Sequence, residues 1–101
     1  MRKFFLLRHE DIHHNSGTGV VAEGVQFDNG MASMTWLTDE PTVTNFNRGI
    51  QGVKRLHGHD GKTEIIVEGD KKDITKYEMC LDIVRARKSR AKHKANKDDT
   101  K

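Results

Sequence analysis

An Asn-Gly pair set between two alternating apolar runs is the strongest constraint on what this chain can fold into. Val20–Phe27 and Met31–Leu37 flank Asp28-Asn29-Gly30. Asn-Gly in that setting favours a two-residue type I′ hairpin turn, because both central residues need positive φ. With Asn29-Gly30 at the turn, Phe27 pairs with Ala32, Val25 with Met34, and Glu23 with Trp36. Val21, Val25, Phe27, Ala32, Met34 and Trp36 then share one face, and Gln26/Ser33 and Gly24/Thr35 fall on the other. A single register sorts both strands, which predicts the first face as core.

The flanking segments extend the sheet. Lys3–Arg8 sets Phe4 and Leu6 against Phe5 and Leu7, the pattern of a strand covered on both faces or entering a dimer interface. Thr42–Phe46 is short and β-branched. Asn47–Gly52 favours no one element. A second hairpin with Asp60-Gly61 at its centre would pair Leu56 with Ile65 and His57 with Glu64, making Lys62–Glu68 the last strand. Five short strands within residues 1–69 predict a curled antiparallel sheet or a small barrel. After Gly69-Asp70 the period changes: Ile74, Tyr77, Leu81 and Val84 recur at helical spacing, and Thr75-Lys76-Tyr77-Glu78 has the form of a capping box. The expected fold is therefore mainly β within the α+β class. A β domain over residues 1–69 is followed by a packed helix over 70–84 and a basic tail over 85–101, expected to fray.

A chain of 101 residues buries little core of its own, so a homo-oligomer is expected. Its single cysteine, Cys80, excludes an intrachain disulfide and argues for a reducing compartment. The apolar run Phe4–Leu7 is too short for a signal peptide or a membrane span, and a cytoplasmic location with no membrane partner follows. Residues 1–84 carry 10 Lys/Arg and 13 Asp/Glu, whereas residues 85–101 carry 8 Lys/Arg and 2 Asp. An acidic body thus joins a basic tail, which suggests an anionic partner for the tail.

Several motifs fall away on context. Gly17-Thr18-Gly19-Val20-Val21-Ala22 matches a dinucleotide fingerprint, but a hairpin strand follows it instead of a helix. Gly61-Lys62-Thr63 resembles the end of a phosphate loop, yet Leu56 stands where that loop needs glycine. His57 and His59, alternate residues of an expected strand, could meet a metal only with help from His13 or Asp11. The cross-strand pair His57/Glu64 is the better account, so no metal and no cofactor is expected. Cys80 lies near the helix stripe and reads as packing. No acid–base pair is selected by spacing, and enzymatic activity is not expected.

Two polar segments remain. Glu10–Gly19 is long for so small a domain, and long loops in compact domains tend to be functional. Within it, Ser16, Gly17, Thr18 and Gly19 could offer backbone N–H groups and hydroxyls to an anion. The second is His57–Lys62.

The blocks Phe5-Leu6-Leu7-Arg8-His9-Glu10-Asp11, Ser16–Val25, Trp36-Leu37-Thr38 and His57–Ile65 resemble a group of small hypothetical proteins of bacteriophages, actinobacteria and halophilic archaea. The resemblance spans about Phe4 to Glu68. It implies a phage or mobile-element setting and carries over no catalytic residue.

The first expectation is a binding module for a small anionic ligand or nucleotide, held by Arg8, Glu10, Asp11, Ser16, Gly17, Thr18, Gly19, His57, His59, Lys62 and Thr63. In a phage this could sequester a ligand and antagonise host defence. The alternative is a nucleic-acid partner bound through Arg85, Arg87, Lys88, Arg90, Lys92 and Lys94. That run holds no aromatic residue for base stacking and would act on phosphate alone.

Overall fold

Four consecutive apolar side chains, Phe4 to Leu7, are all buried, because their strand lies inside a sheet with a helix on each face. The computed structural model describes residues 1–9, 19–58 and 61–99, with the side chains of 88–99 outside that description. Strands β1 (Arg2–Arg8), β2 (Gly19–Gln26), β3 (Ala32–Trp36), β4 (Val43–Phe46) and β5 (Thr63–Val67) are joined by helix α1 (Gly49–His57) and followed by α2 (Ile74–Asp99). All five strands expected from the sequence are present. They form one antiparallel sheet in the order β4-β3-β2-β1-β5. It is open, with β4 and β5 at its edges, and is not a barrel.

One face of the sheet presents Phe4, Leu6, Met34, Phe46 and Ile65 to Ile50 and Val53 of α1. The other presents Phe5, Leu7, Val20 and Ile66 to Tyr77, Cys80, Leu81 and Val84 of α2. Phe5 and Tyr77 meet at 5.3 Å between ring centroids. The double-sided pattern of β1 thus reflects two helices of its own chain. Burying side chains of this size contributes about 1.5–3 kcal/mol each. Cys80 is fully buried, and burial pushes its thiol above the ordinary range, so it packs as a small apolar group.

The Asn29-Gly30 hairpin forms with a register one residue away from the expected one. Val25 faces Ser33, Gly24 faces Met34 and Ala22 faces Trp36. Phe27 N–H donates to the Met31 carbonyl at 2.7 Å, and Gly30 N–H donates to the Phe27 carbonyl at 2.9 Å. This is a three-residue loop with Gly30 left-handed at φ +93°, the G1-bulge alternative to a two-residue turn. A one-residue slip moves every side chain to the other face. Val25 and Phe27 accordingly lie opposite Met34 and Trp36, and Phe27 is exposed. The expected common face of Val25, Phe27, Met34 and Trp36 is overturned. Phe4 supplies the reason: its ring lies over Gly24, where a Cβ would collide with Cζ of that ring and stand 2.6 Å from the Ser33 carbonyl. Val21 still joins Met34 and Trp36, because a bulge in β2 opposite Leu6/Leu7 restores its side.

The second expected hairpin does not form. Residues 49–57 are helix α1, so Leu56 and His57 pair with no strand, and His57 is not opposite Glu64. Ile50, Val53 and His57 recur at helical spacing on the inward side, and Lys54, Arg55 and His57 occupy the last turn, where cations complement the helix dipole. The capping-box reading fails as well. Thr75–Glu78 lie within α2, and the entry is made by a 3-10 turn over Lys71–Asp73, capped by Asp70 accepting from Lys72 N–H at 3.3 Å. Ile74 is exposed and outside the packed stripe. Among the described residues no helix is long and apolar enough to cross a membrane.

Candidate functional site

The end of β1 carries a buried guanidinium. Arg8 is 6% exposed, its Nε has no hydrogen-bond partner, and among the described residues no carboxylate pairs with it. Arg8 sits between Gly19 of β2 and Thr63 of β5, on the face covered by α1. Thr63 is 3% exposed, and its hydroxyl is also without a partner. The Arg8 guanidinium carbon stands 6.0 Å from the centroid of Trp36, a cation over an aromatic face. His57, at the end of α1, meets Trp36 edge-on at 5.2 Å and Phe46 at 5.9 Å.

Two buried polar groups thus face one another's strand without satisfying each other, beside an indole and an imidazole. A buried donor left unpaired costs about 1–3 kcal/mol, and more when charged. A phosphate or carboxylate brought to Arg8 and Thr63 would relieve that cost. Arginine binds such groups through two parallel N–H donors.

Of the expected ligand-binding residues, Arg8, Gly19, His57 and Thr63 converge at this end of the sheet. Lys62 joins them through its backbone, its carbonyl accepting from His9 N–H at 2.8 Å. Glu10, Asp11, Ser16, Gly17, Thr18 and His59 lie outside the described residues. Trp36, which its alternation assigns to the core, also stands against Arg8 and His57 at this end of the sheet. A lone tryptophan at a strand end, two residues before a Thr-Asp turn, is the signal for it. Of the basic-tail residues, Arg85 is exposed. Arg87 is engaged, its Nη1 donating to the Val20 carbonyl at 2.6 Å. The side chains of Lys88, Arg90, Lys92 and Lys94 lie outside the description. Among the described residues no three His, Cys, Asp or Glu side chains group as metal ligands.

The opposite face holds a polar cluster. Glu64 accepts from Lys76 Nζ at 2.8 and 2.9 Å and lies 2.6 Å from His9 Nε2. The Lys76 hydrogen bond holds the Glu64 carboxyl below its usual value of 4.5; partial burial opposes the shift and His9 adds to it. A lowered carboxyl pKa stabilises the fold above the unfolded value and ceases to do so as pH falls through the folded one. Glu64→Gln should therefore lower Tm at pH 7 by about 2 °C, as expected for a half-exposed pair. Thermal scans across pH should show the difference closing below pH 4.5.

A family model described as Acb5 phage protein matches residues 1–68. That span contains all five strands, α1, and Arg8, Trp36, His57 and Thr63. No curated protein and no solved structure matches the chain.

Proposed function

The chain belongs to the Acb5 phage protein family, and on that premise we propose that it binds a small anionic ligand, a nucleotide, at the Arg8 end of the sheet and antagonises host defence by holding it. Acb designations suggest anti-CBASS proteins, in keeping with such antagonism. The observation that carries the reading is the buried Arg8, its Nε unpartnered and no carboxylate paired with it among the described residues, on the strand next to the unpartnered Thr63 hydroxyl. The phosphate pairs with Arg8 and accepts from Thr63, and the base stacks against the Trp36–His57 corner, as aromatic side chains in nucleotide-binding grooves do. Holding the ligand suffices for antagonism. The work is done in the host cytoplasm.

Thermal-shift measurements against a panel of linear and cyclic nucleotides test this. A ligand at about 100 times its Kd adds about 2.7 kcal/mol, which for a domain of this size raises Tm by about 10 °C. The shift should vanish in Arg8→Ala, shrink in Thr63→Val, and survive truncation after Arg87. A panel that shifts nothing, or a shift that Arg8→Ala leaves intact, contradicts the proposal. A shift lost on truncation after Arg87 would move the binding to the basic tail.

A further inference from the structure

We propose that the outer edge of β5 is a docking groove for an extended acidic peptide segment of a partner protein, which adds to the sheet as a sixth strand. The inference is independent of the nucleotide site. It starts from the hydrogen-bond phase of the edge. Glu68 N–H donates to the Lys3 carbonyl and His9 N–H to the Lys62 carbonyl, so residues 62, 64, 66 and 68 turn their backbone groups toward β1. Residues 63, 65 and 67 turn theirs outward.

Two of the three outward N–H groups are already used. Thr63 N–H donates to the Gly58 carbonyl at 3.2 Å, and Val67 N–H donates to the buried carboxylate of Asp73 at 3.1 Å. The Val67 carbonyl accepts from Asp70 N–H at 3.3 Å. Both ends of the edge are thereby closed, which protects a fold against unselective strand pairing. Between them the N–H and C=O of Ile65 and the carbonyl of Thr63 remain open among the described residues. They open into a cleft of about 640 Å³ between the end of α1 and the start of α2. The Ile65 side chain belongs to the α1-side core, so what Ile65 offers the cleft is its backbone.

Charge selects the occupant. The cleft walls carry Lys54, Arg55, Lys72 and Lys76 against Glu64 and Asp73. Lys76 is held by Glu64 and Asp73 by the Val67 amide. Lys54, Arg55 and Lys72 pair with no carboxylate among the described residues. A strand edge flanked by helices, with a short run of open backbone groups and three unengaged cations, is complementary to a β-strand bearing Asp or Glu at alternate positions. Main-chain pairing supplies affinity in such additions, and the alternate side chains supply selectivity.

The test uses the full chain and a pool of labelled heptapeptides with Asp or Glu at alternate positions and Val, Ile, Thr or Tyr between. Fluorescence anisotropy should show saturable binding, and amide exchange followed by NMR should slow at Ile65. The double variant Lys54→Glu/Lys72→Glu, changed at exposed positions and checked for an unaltered fold by its circular dichroism, should bind about tenfold more weakly. Peptides N-methylated at alternate residues, which cannot pair as strands, should not bind. Arg8→Met should leave peptide binding unchanged. No saturable binding, equal binding of N-methylated peptides, or unchanged exchange at Ile65 in a peptide-saturated sample would each overturn the proposal.

Discussion

Arg8→Met should yield a ligand-free protein at least as stable as the wild type, by about 1 kcal/mol in urea unfolding, yet unable to bind nucleotide. The expectation follows from the state of Arg8, which is buried with Nε unpartnered and, among the described residues, no carboxylate opposite it. Removing one member of a buried ion pair strands the other and is costly. Among the described residues there is no second charge to strand. Methionine fills much of the same volume, and what is lost is the cation over Trp36, about 0.5–2 kcal/mol, set against the cost of a buried Nε left unpaired, about 1–3 kcal/mol. Stability gained together with binding lost is the signature of a residue kept for function. A large fall in stability would assign Arg8 to the architecture instead.

The second large effect concerns the joint between hairpin and helix. Gly49→Ala should destabilise the protein by about 3 kcal/mol, a large fraction of the stability of a domain this size. Gly49 opens α1 with φ +63°, a left-handed conformation that costs a side chain about 1–2 kcal/mol. A methyl group there would also collide with the Gly30 carbonyl and with Gln26 Oε1. The second collision matters because Gln26 Oε1 accepts from Ile50 N–H at 2.9 Å, satisfying one of the open amides at the start of α1. The substitution thus strains the backbone and displaces the cap together. Chemical unfolding of Gly49→Ala beside Gly61→Ala checks the account. Gly61 has φ +88° but open space around it, so its variant should lose only the conformational part.

These positions show where sequence reading succeeds and where it stops. The five strands were legible because their alternation is local. The hairpin register was not, since a two-residue turn and a three-residue turn with a G1 bulge both accept Asp28-Asn29-Gly30. What decides between them is Phe4, from a strand some twenty residues earlier, needing the bare backbone of Gly24 beneath its ring. Helix α1 was missed because Asp60-Gly61 suggested a turn, and because Ile50, Val53 and His57 make too short a series to announce a period. The candidate site was legible in part. Arg8, Gly19, His57 and Thr63 were marked by the polar segments they border, whereas Trp36 was absorbed into an apolar face. That Arg8 Nε and the Thr63 hydroxyl would be buried without hydrogen-bond partners is a property of the assembled sheet, to which no local pattern points.

Trp36 is the chain's only tryptophan, so its emission reports on the candidate site alone. The most direct measurement is a fluorescence titration with the nucleotide that gives the largest thermal shift, run beside calorimetry on the same samples. Emission should change saturably with the calorimetric Kd in the wild type, and both signals should disappear in Arg8→Met. Calorimetric binding that leaves Trp36 emission unmoved would place the ligand elsewhere and contradict the assignment of this site.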